Sequence, residues 1–406
     1  MISLFARYWV CCYLSILIVT ALNPIIFDVS LFAILKYFFP LSGLGINLFF
    51  LLKTSSFAKI TTEVYAILVL ILLLLISSVV STDFVTSFSR VIFATISLMY
   101  LYTSCLLDTR LLESVFKFLY WVSFGIIVWC YYLLVFYPLE YFNSGNFRGV
   151  FYNANYLGRI LAFMAVPSIL IRLNLEERPK RFFKLVNYLL IFSALVLLIA
   201  SRSRASMLAV VVLLIVFYFF KDRTVVKNTL VLVFSCVLFG ITAYLVIPDK
   251  ARQYIYTDYV LKYESSDEIY STRGKMYSDR ISGIVEKPVY GWGYGIKPKL
   301  HTIYTDPEKM NDTEKGNSFL AFIEEVGLLA GVMYLVILCM LLFQCARHTS
   351  YRAGTKRGIE SAILLGIILA GVVHANFESW LFYFGSFISN YFWLILLSQR
   401  SFRVAT

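Results

Sequence analysis

The sequence has few charged residues, few histidines and no paired cysteines, and each shortage excludes a class of protein. Only 15% of its 406 residues are Asp, Glu, Lys or Arg, whereas soluble domains have about 25%, so the chain is not an ordinary soluble protein. Its seven cysteines include no CxxC pair, and its three histidines do not stand at metal-ligand spacing. A disulfide framework and a zinc site are therefore excluded, and we expect neither a cofactor nor a metal.

Hydrophobic residues, by contrast, make up 60% of the chain. A helix needs about 20 apolar residues to cross a bilayer core roughly 30 Å thick, and about 12 runs approach that length. They lie at 8–27, 30–52, 62–80, 84–107, 115–138, 157–173, 184–200, 204–220, 228–247, 317–343, 360–374 and 378–398. The first run lacks a small-residue cleavage site, so we treat it as a retained span. The prediction is an all-α polytopic membrane protein, with one integral membrane domain over residues 1–406.

The basic residues predict how the chain is oriented. Lys and Arg outnumber Asp and Glu by 36 to 24, and a polytopic protein acquires such an excess in its cytoplasmic loops, so we expect no nucleic-acid partner. The basic residues cluster at the N-terminus, in every second loop and in the C-terminal tail. This alternation predicts an even number of spans with both termini in the cytoplasm.

Two short outer loops break that rule. Arg148 and Arg159 lie in the loop 143–159, and Arg202 and Arg204 lie in the turn after the seventh span. Snorkelling of long side chains is one explanation; an anion site is the other. Because Arg204 begins a span, its guanidinium lies beside a helix N-terminus that also favours anions. This arrangement suits bidentate binding of a lipid-linked phosphate or diphosphate.

The remaining outer loop, 249–315, is far longer than a connection requires. It contains 11 acidic and 11 basic residues, nine tyrosines and one tryptophan. Arg273 and Arg280 could form a second cationic cluster, and the run KPVYGWGYG at 287–295 suits the apolar faces and hydroxyl edges of sugars. The alternative is an ordered cap that only seals the bundle.

Few residues could activate a hydroxyl group in this chain. His374 and Glu378 are four residues apart near the outer end of a span, so they share one side if the helix continues that far. An interfacial polar pair without a catalytic role is the alternative. Glu324 and Glu325 lie inside a span, where acids are expensive and normally face a partner or a cavity. We take His374, Glu378 and Glu325 as the catalytic candidates.

Four segments resemble the O-antigen ligase and O-antigen polymerase superfamily of bacterial polysaccharide membrane proteins. They are FRGVFYNAN at 147–155, SRASMLA at 203–209, Arg273 followed by KPVYGWGYG at 287–295, and GNSFL at 316–320 leading to EVGLL at 325–329. The first 140 residues resemble the family only in hydropathy. Each motif alone is weak, but their order around one long loop is fairly specific.

The resemblance implies a metal-independent glycosyltransferase on the outer face of the bacterial cytoplasmic (inner) membrane. Its donor would be an undecaprenyl-diphosphate-linked oligosaccharide, and Arg204 and Arg273 would correspond to the arginines proposed to hold the diphosphate. We count four other arginines as further diphosphate candidates: Arg202, Arg280, Arg148 and Arg159. Six polar or aromatic residues are expected to contact the saccharide: Asn153, Asn155, Tyr290, Trp292, Tyr294 and Asn317.

One departure from the family favours the polymerase branch. Ligases resemble one another in a His-Asn pair at the start of the span after the loop, and this chain has Gly316 and Asn317 there. We therefore expect a polymerase that joins repeat units, with a chain-length regulator and a flippase as further partners. One alternative is a ligase to lipid A core, in which His301 or His374 replaces the missing histidine. Another is a transporter of lipid-linked saccharide, although such folds usually show internal repeats and we detect none.

Overall fold

A computed structural model describes most of the chain. The described residues are 2–24, 30–53, 62–108, 110–137, 141–143, 146–175, 181–221, 277–296, 316–351 and 355–398. Arg273 and His301, and the predicted span at 228–247, lie outside them.

The described residues are almost entirely helical. In chain order the helices are α1 (Ile2–Val19), α2 (Ser30–Lys53), α3 (Thr62–Val79), α4 (Phe84–Leu107), α5 (Leu111–Phe136), α6 (Ala154–Ile160), a π-helical turn (Leu161–Ala165), α7 (Val166–Leu175), α8 (Arg181–Ala200), α9 (Arg204–Lys221), the loop helix (277–286), α10 (Ser318–Tyr351), α11 (Lys356–Ala375) and α12 (Phe387–Ser398). The two short strands β1 (Phe142–Asn143) and β2 (Asn146–Phe147) form an antiparallel hairpin before α6.

Eight helical stretches in the described part are long and apolar enough to cross a membrane. The all-helical fold with many candidate spans is therefore confirmed, although the predicted number of 12 spans is not. Helices α1, α3 and α12 are apolar but shorter. The outward faces of the long helices carry large exposed hydrophobic side chains, as expected for surfaces that contact lipid.

The predicted span at 378–398 differs most from the structure. Residues 376–386 form turns, and α12 begins only at Phe387. Side chains there bond the backbone: Asn390 Nδ2 donates to the carbonyl of Ser386 at 2.9 Å, and the Ser389 hydroxyl donates to Leu381 O at 2.9 Å. Such bonds compete with helical hydrogen bonding, so an apolar run of spanning length folds as turns followed by a short helix.

The helix ends gather at two opposite faces. We call one of them the site face. It is defined by three contacts between helix ends: Leu22 pairs with Phe151, Gly158 packs on Ser203, and the Ser77 hydroxyl donates to the backbone carbonyl of Glu325. At the opposite face Arg7 pairs with Asp108, and Lys221 Nζ donates to Asn174 Oδ1 at 2.9 Å. The charge pattern predicts that the site face is extracytoplasmic.

Helix α10 is broken at Gly327, whose φ and ψ are 86° and 167°. The break frees the carbonyls of Glu324 and Glu325, and residues 288–296, called segment 288–296, supply the missing donors. The amides of Trp292 and Gly293 donate to these carbonyls at 3.2 and 2.8 Å, and the Leu328 amide donates to Pro288 O at 2.7 Å. Irregular backbone at this depth is stable because protein groups satisfy it.

Candidate functional site

A cavity of about 1000 Å³ opens at the site face. Its walls come from the turn after α1, from α2, α4, α6 and α10, from segment 288–296 and from the turns at 376–386. Six ionisable residues line it: Lys36, Asp83, Arg90, Arg159, Glu325 and Glu378. Aromatic rings lie among them, including Tyr37, Tyr152, Tyr156, Tyr294, Phe382 and Tyr383. A cavity with rings and charged groups of both signs suits a substrate that has apolar faces and many hydroxyls.

Arg159 and Glu378 form an ion pair in this cavity. Arg159 Nε lies 3.0 Å from Glu378 Oε2, and the two side chains are only 12% and 8% exposed. The Arg159 guanidinium also lies 4.9 Å from the centre of the Tyr156 ring. Because a guanidinium has five N–H donors, it can hold this carboxylate and still offer donors to an anionic substrate.

Local structure fixes both members of this pair. Asn153 caps α6 by accepting the Asn155 amide at 2.8 Å, and the buried π-helical turn begins two residues after Arg159. Such turns are rare and frequent at functional sites. Glu378 lies in the turn after α11, where Ser318 Oγ donates to its carbonyl oxygen at 2.7 Å. Two distant parts of the chain are therefore held together at the cavity.

Glu325 lines the cavity beside the break in α10. Its Oε2 accepts the Gly295 amide at 2.8 Å, and Arg90 donates to the carbonyl oxygen of the same glycine. The Tyr294 hydroxyl donates to the carbonyl of Phe382. Segment 288–296 thus joins the N-terminal helix α4 to the break and to the turns at 376–386.

Glu324, the neighbouring acid, faces a different partner. Its carboxylate forms a buried ion pair with Arg280 of the loop helix, and Gly283 of that helix packs directly on it. Arg280 does not line the cavity. The contact attaches the loop helix to α10, and removing either partner would leave a buried charge uncompensated.

His374 is fully buried at the end of α11. Its Nδ1 accepts the Trp380 Nε1–H group at 2.8 Å, so in the neutral ring Nε2 carries the proton and donates to Ser206 Oγ at 3.2 Å. Nε2 also lies 3.9 Å from Glu378 Oε1. The helix ends at Ala375, but the turn that follows it keeps Glu378 on the same side as His374. Both ring nitrogens are bonded to protein groups, and His374 does not line the cavity.

Three other predicted arginines are described at the site face. Arg204 begins α9, Arg202 has a φ of 51° in the turn before it, and Arg148 follows β2. None of the three lines the cavity. Gly158 packs against Ser203, with a Cβ at Gly158 falling 2.5 Å from Ser203 Cβ, so Arg159 and Arg204 each follow one member of a close contact.

Three of the residues expected to contact the saccharide have structural partners in the protein. Asn153 caps α6, and Asn317 caps α10 by accepting the Phe319 amide at 2.8 Å. Trp292 donates its Nε1–H to Gly283 O at 3.0 Å, and the Lys287 ammonium lies 4.2 Å from a Trp292 ring centre. Asn155 and the half-exposed Tyr290 stand outside the cavity lining, and only Tyr294 of the six lies within it.

Sequence reasoning missed the wall built by the N-terminal helices. Lys36 on α2, Arg90 on α4 and Asp83 before α4 all line the cavity. A signal was available, because ionisable residues inside predicted spans normally face a partner or a cavity. Lys36 and Arg90 lie within two turns of the start of their spans, where a basic side chain can also reach the membrane surface, so their position alone does not indicate a cavity.

The site combines groups that can move a proton with groups that can hold an anion. A carboxylate within reach of a hydroxyl can take its proton, and a positioned guanidinium can stabilise negative charge on a departing phosphate. In the part of the chain that the structure covers, no cluster of three His, Cys, Asp or Glu residues could hold a metal ion.

Comparison with known proteins identifies a family for part of the chain. Residues 189–335 match a family model described as O-antigen ligase, while no curated protein matches the chain. The matched stretch runs from α8 past the break in α10 and includes Arg204 and Glu325. It confirms the resemblance to the O-antigen ligase and polymerase superfamily for these residues; Arg159, Glu378 and the α2–α4 wall lie outside it.

Proposed function

We propose, taking the O-antigen ligase match of residues 189–335 as the premise, that this multi-pass membrane protein is a polysaccharide polymerase. It would join repeat units linked to undecaprenyl diphosphate on the outer face of the bacterial cytoplasmic membrane. The observation that carries the proposal is the Arg159–Glu378 pair in an aromatic cavity of about 1000 Å³.

The transfer exchanges one glycosidic bond for another. The bond between the anomeric carbon and the diphosphate oxygen breaks, and its electron pair stays on that oxygen. A hydroxyl oxygen of the acceptor repeat unit bonds to the anomeric carbon and gives up its proton. We assign Glu378 as the group that takes this proton, since it lines the cavity while both His374 nitrogens are bonded inside the protein.

Arg159 would stabilise the negative charge that develops on the departing diphosphate. The contact of Gly158 with Ser203 supports a donor site between Arg159 and Arg204, because each arginine follows a residue of that contact. The family resemblance adds Arg273 to this site. A diphosphate held by several guanidinium groups is a good leaving group, so a carboxylate is a strong enough base for this transfer.

The ligase remains the second candidate, because the matched family is described as O-antigen ligase. Gly316, where ligases resemble one another in a histidine, favours the polymerase. Gel profiles of surface polysaccharide from a deletion strain separate the two functions. A polymerase mutant shows single-repeat product, whereas a ligase mutant loses all polymer from the acceptor and keeps it on the carrier lipid.

The direct test is turnover of the lipid-linked repeat unit by the purified protein. Glu378→Gln removes the proton acceptor while keeping its size, and we expect about a hundredfold or greater loss of rate. Arg159→Lys keeps the positive charge but loses the planar guanidinium that binds a phosphate through two N–H groups, so this variant should have little activity.

The matched control is Glu113→Gln, since Glu113 is an exposed acid at the opposite face paired with Lys117. It should turn over at the rate of the unmodified protein. Full activity of Glu378→Gln would remove Glu378 from the mechanism.

A further inference from the structure

Two cations enter the cavity from the wall that the family match does not include. Lys36 lies on α2 and Arg90 lies on α4, and both line the cavity. The helices pack through Tyr37 and Phe93, whose ring centroids are 4.7 Å apart. Tyr37 follows Lys36 directly and Phe93 lies one turn after Arg90, so the two cations stand on neighbouring turns of packed helices.

Ion pairing distinguishes these two cations from three arginines of the bundle. Arg7, Arg159 and Arg280 each pair with a carboxylate. Within the described ranges, no carboxylate forms an ion pair with Lys36 or Arg90. Arg90 gives one N–H group to Gly295 O, and the Lys36 ammonium lies 5.0 Å from the Tyr37 ring centre.

The acids on the same side of the cavity are engaged elsewhere. Asp83 Oδ1 accepts the Thr86 amide at 3.1 Å as the cap of α4, and Glu325 Oε2 accepts the Gly295 amide. Hydrogen bonds from Thr86 lower the pKa of Asp83 from its ordinary value, with a smaller contribution from Arg90. Two neighbouring cations without an ion-pair partner suit a substrate with two or more negative charges.

The surroundings of this pair indicate that its anion is attached to a lipid. On α2, Ile34 and Phe38 flank Lys36 and are 69% and 55% exposed on the outside of the bundle, and Val85 near Arg90 is 75% exposed. The cations therefore stand where the cavity meets an apolar surface that faces lipid. A long isoprenoid chain can lie on that surface while its headgroup reaches the cations.

We propose that Lys36 and Arg90 bind the diphosphate of a second lipid-linked saccharide, the acceptor, opposite the donor site at Arg159. The inference rests on the proposed polymerase function, because a polymerase consumes two lipid-linked substrates at once whereas a free saccharide brings no diphosphate. Donor and acceptor diphosphates then lie on different walls of one cavity, and the saccharides meet between them near Glu378.

Counting bound carrier lipid tests the second site without catalysis. Native mass spectrometry of the purified protein with undecaprenyl diphosphate should show two lipids per chain. Lys36→Met combined with Arg90→Gln should reduce the count to one, and Arg159→Gln should remove the other lipid. The matched control is Lys53→Met combined with Arg110→Gln. Both cations are exposed at the opposite face, where Lys53 ends α2 and Arg110 precedes α5. This protein should still bind two lipids.

Three results of this count would overturn the proposal: one lipid on the unmodified protein, two lipids on the Lys36→Met, Arg90→Gln protein, or equal displacement by phosphatidylglycerol. The last would mean that any anionic lipid binds there. Inorganic diphosphate is tested in the same way. If it bound as tightly as the lipid, the isoprenoid chain would not be recognised, and the proposal of a lipid-linked ligand would be wrong.

A kinetic split assigns the second site to the acceptor. The donor is the repeat unit on undecaprenyl diphosphate with its accepting hydroxyl removed, and the acceptor carries a phosphonate link that cannot be cleaved. Lys36→Met should raise the acceptor KM about tenfold or more, the usual effect of losing a charged hydrogen-bond donor, and leave the donor KM unchanged.

A rise in the donor KM instead, or no change in either KM, would overturn the assignment. An unmodified protein that transfers nothing would refute the polymerase function alone, because the count of bound lipids would still decide whether the second site exists.

Discussion

At the residue scale, hydrogen-bond donors and acceptors of the protein itself surround the imidazole of His374. Trp380 occupies Nδ1 and Ser206 occupies Nε2, so neither nitrogen offers a lone pair to a substrate hydroxyl. Ser203 in turn donates to Ser206 at 2.9 Å, one residue before Arg204. His374 therefore links α11 to the start of α9 and helps to position that turn.

Replacing His374 separates a positioning role from a catalytic one. His374→Ala leaves the buried Trp380 Nε1–H group without its acceptor and removes one hydrogen bond of Ser206. An unsatisfied buried donor costs about 1–3 kcal/mol, so we expect a clear drop in Tm by intrinsic fluorescence. His374→Gln keeps one acceptor and one donor and should retain much of the transfer rate. If His374 were the base, both variants, including the better-packed His374→Gln, would lose about a hundredfold or more in rate.

The sequence predicts some of these residues better than others. Arg159, Glu378 and Glu325 could be selected because charged groups at or inside a span are costly, and the structure brings all three to one cavity. Asn153 and Asn317 had a simpler interpretation, since asparagine before a helix is a preferred N-cap. Lys36 and Arg90 were missed because nothing local shows that α2 and α4 turn those positions toward the same space.

At the element scale, the break in α10 is the feature that a hydropathy pattern hides most completely. Residues 317–343 are predicted as one continuous span, yet Gly327 has a left-handed φ and the chain before it bonds to segment 288–296. The aromatic run KPVYGWGYG at 287–295, which is predicted to contact sugars, supplies the partner of this break. It also serves close approach, because a Cβ at Gly291 would fall 2.5 Å from the backbone of Glu325.

Gly327→Ala tests how much the break contributes to stability. The backbone conformation is one that essentially only glycine adopts, so strain alone costs about 1–3 kcal/mol, and the new Cβ would also overlap the carbonyl of Val289. We expect a lower Tm and loss of the cavity wall that carries Glu325.

Gly45→Ala in α2 is its control, since a Cβ there meets no atom within 4 Å. That change should be neutral or raise Tm, because alanine is favoured over glycine in a helix by about 1 kcal/mol. Equal Tm values for the two variants would contradict the importance of the break.

At the scale of the whole molecule, the helix ends divide into a site face and an opposite face in the order that the charged loops predict. Hydropathy alone predicts the long helices well, because the length of an apolar run can be read from the sequence without knowing the tertiary contacts. It could not place the turns at 376–386, where the Trp380 amide donates to Ser318 Oγ and the Asn390 side chain donates to Ser386 O. Side chains that come together only in the folded bundle leave no local pattern.

Cysteine labelling tests which face is extracytoplasmic. In a chain with its seven native cysteines replaced, Thr82→Cys at the site face should react with a membrane-impermeant maleimide added to intact cells. Arg110→Cys at the opposite face should react only after permeabilisation. The reverse pattern would place the cavity in the cytoplasm and contradict a reaction on the outer face.

The broken helix also bears on how the protein is made. The donors that complete it come from Ser77 on α3 and from segment 288–296, and all of them precede α10 in the chain. Spans leave the ribosome in order, so every partner of the break has been synthesised before α10 enters the bilayer. Because unsatisfied carbonyls are costly in lipid, α10 is a span that depends on its predecessors, whereas the cavity is complete only once the turns at 376–386, which also line it, have been made.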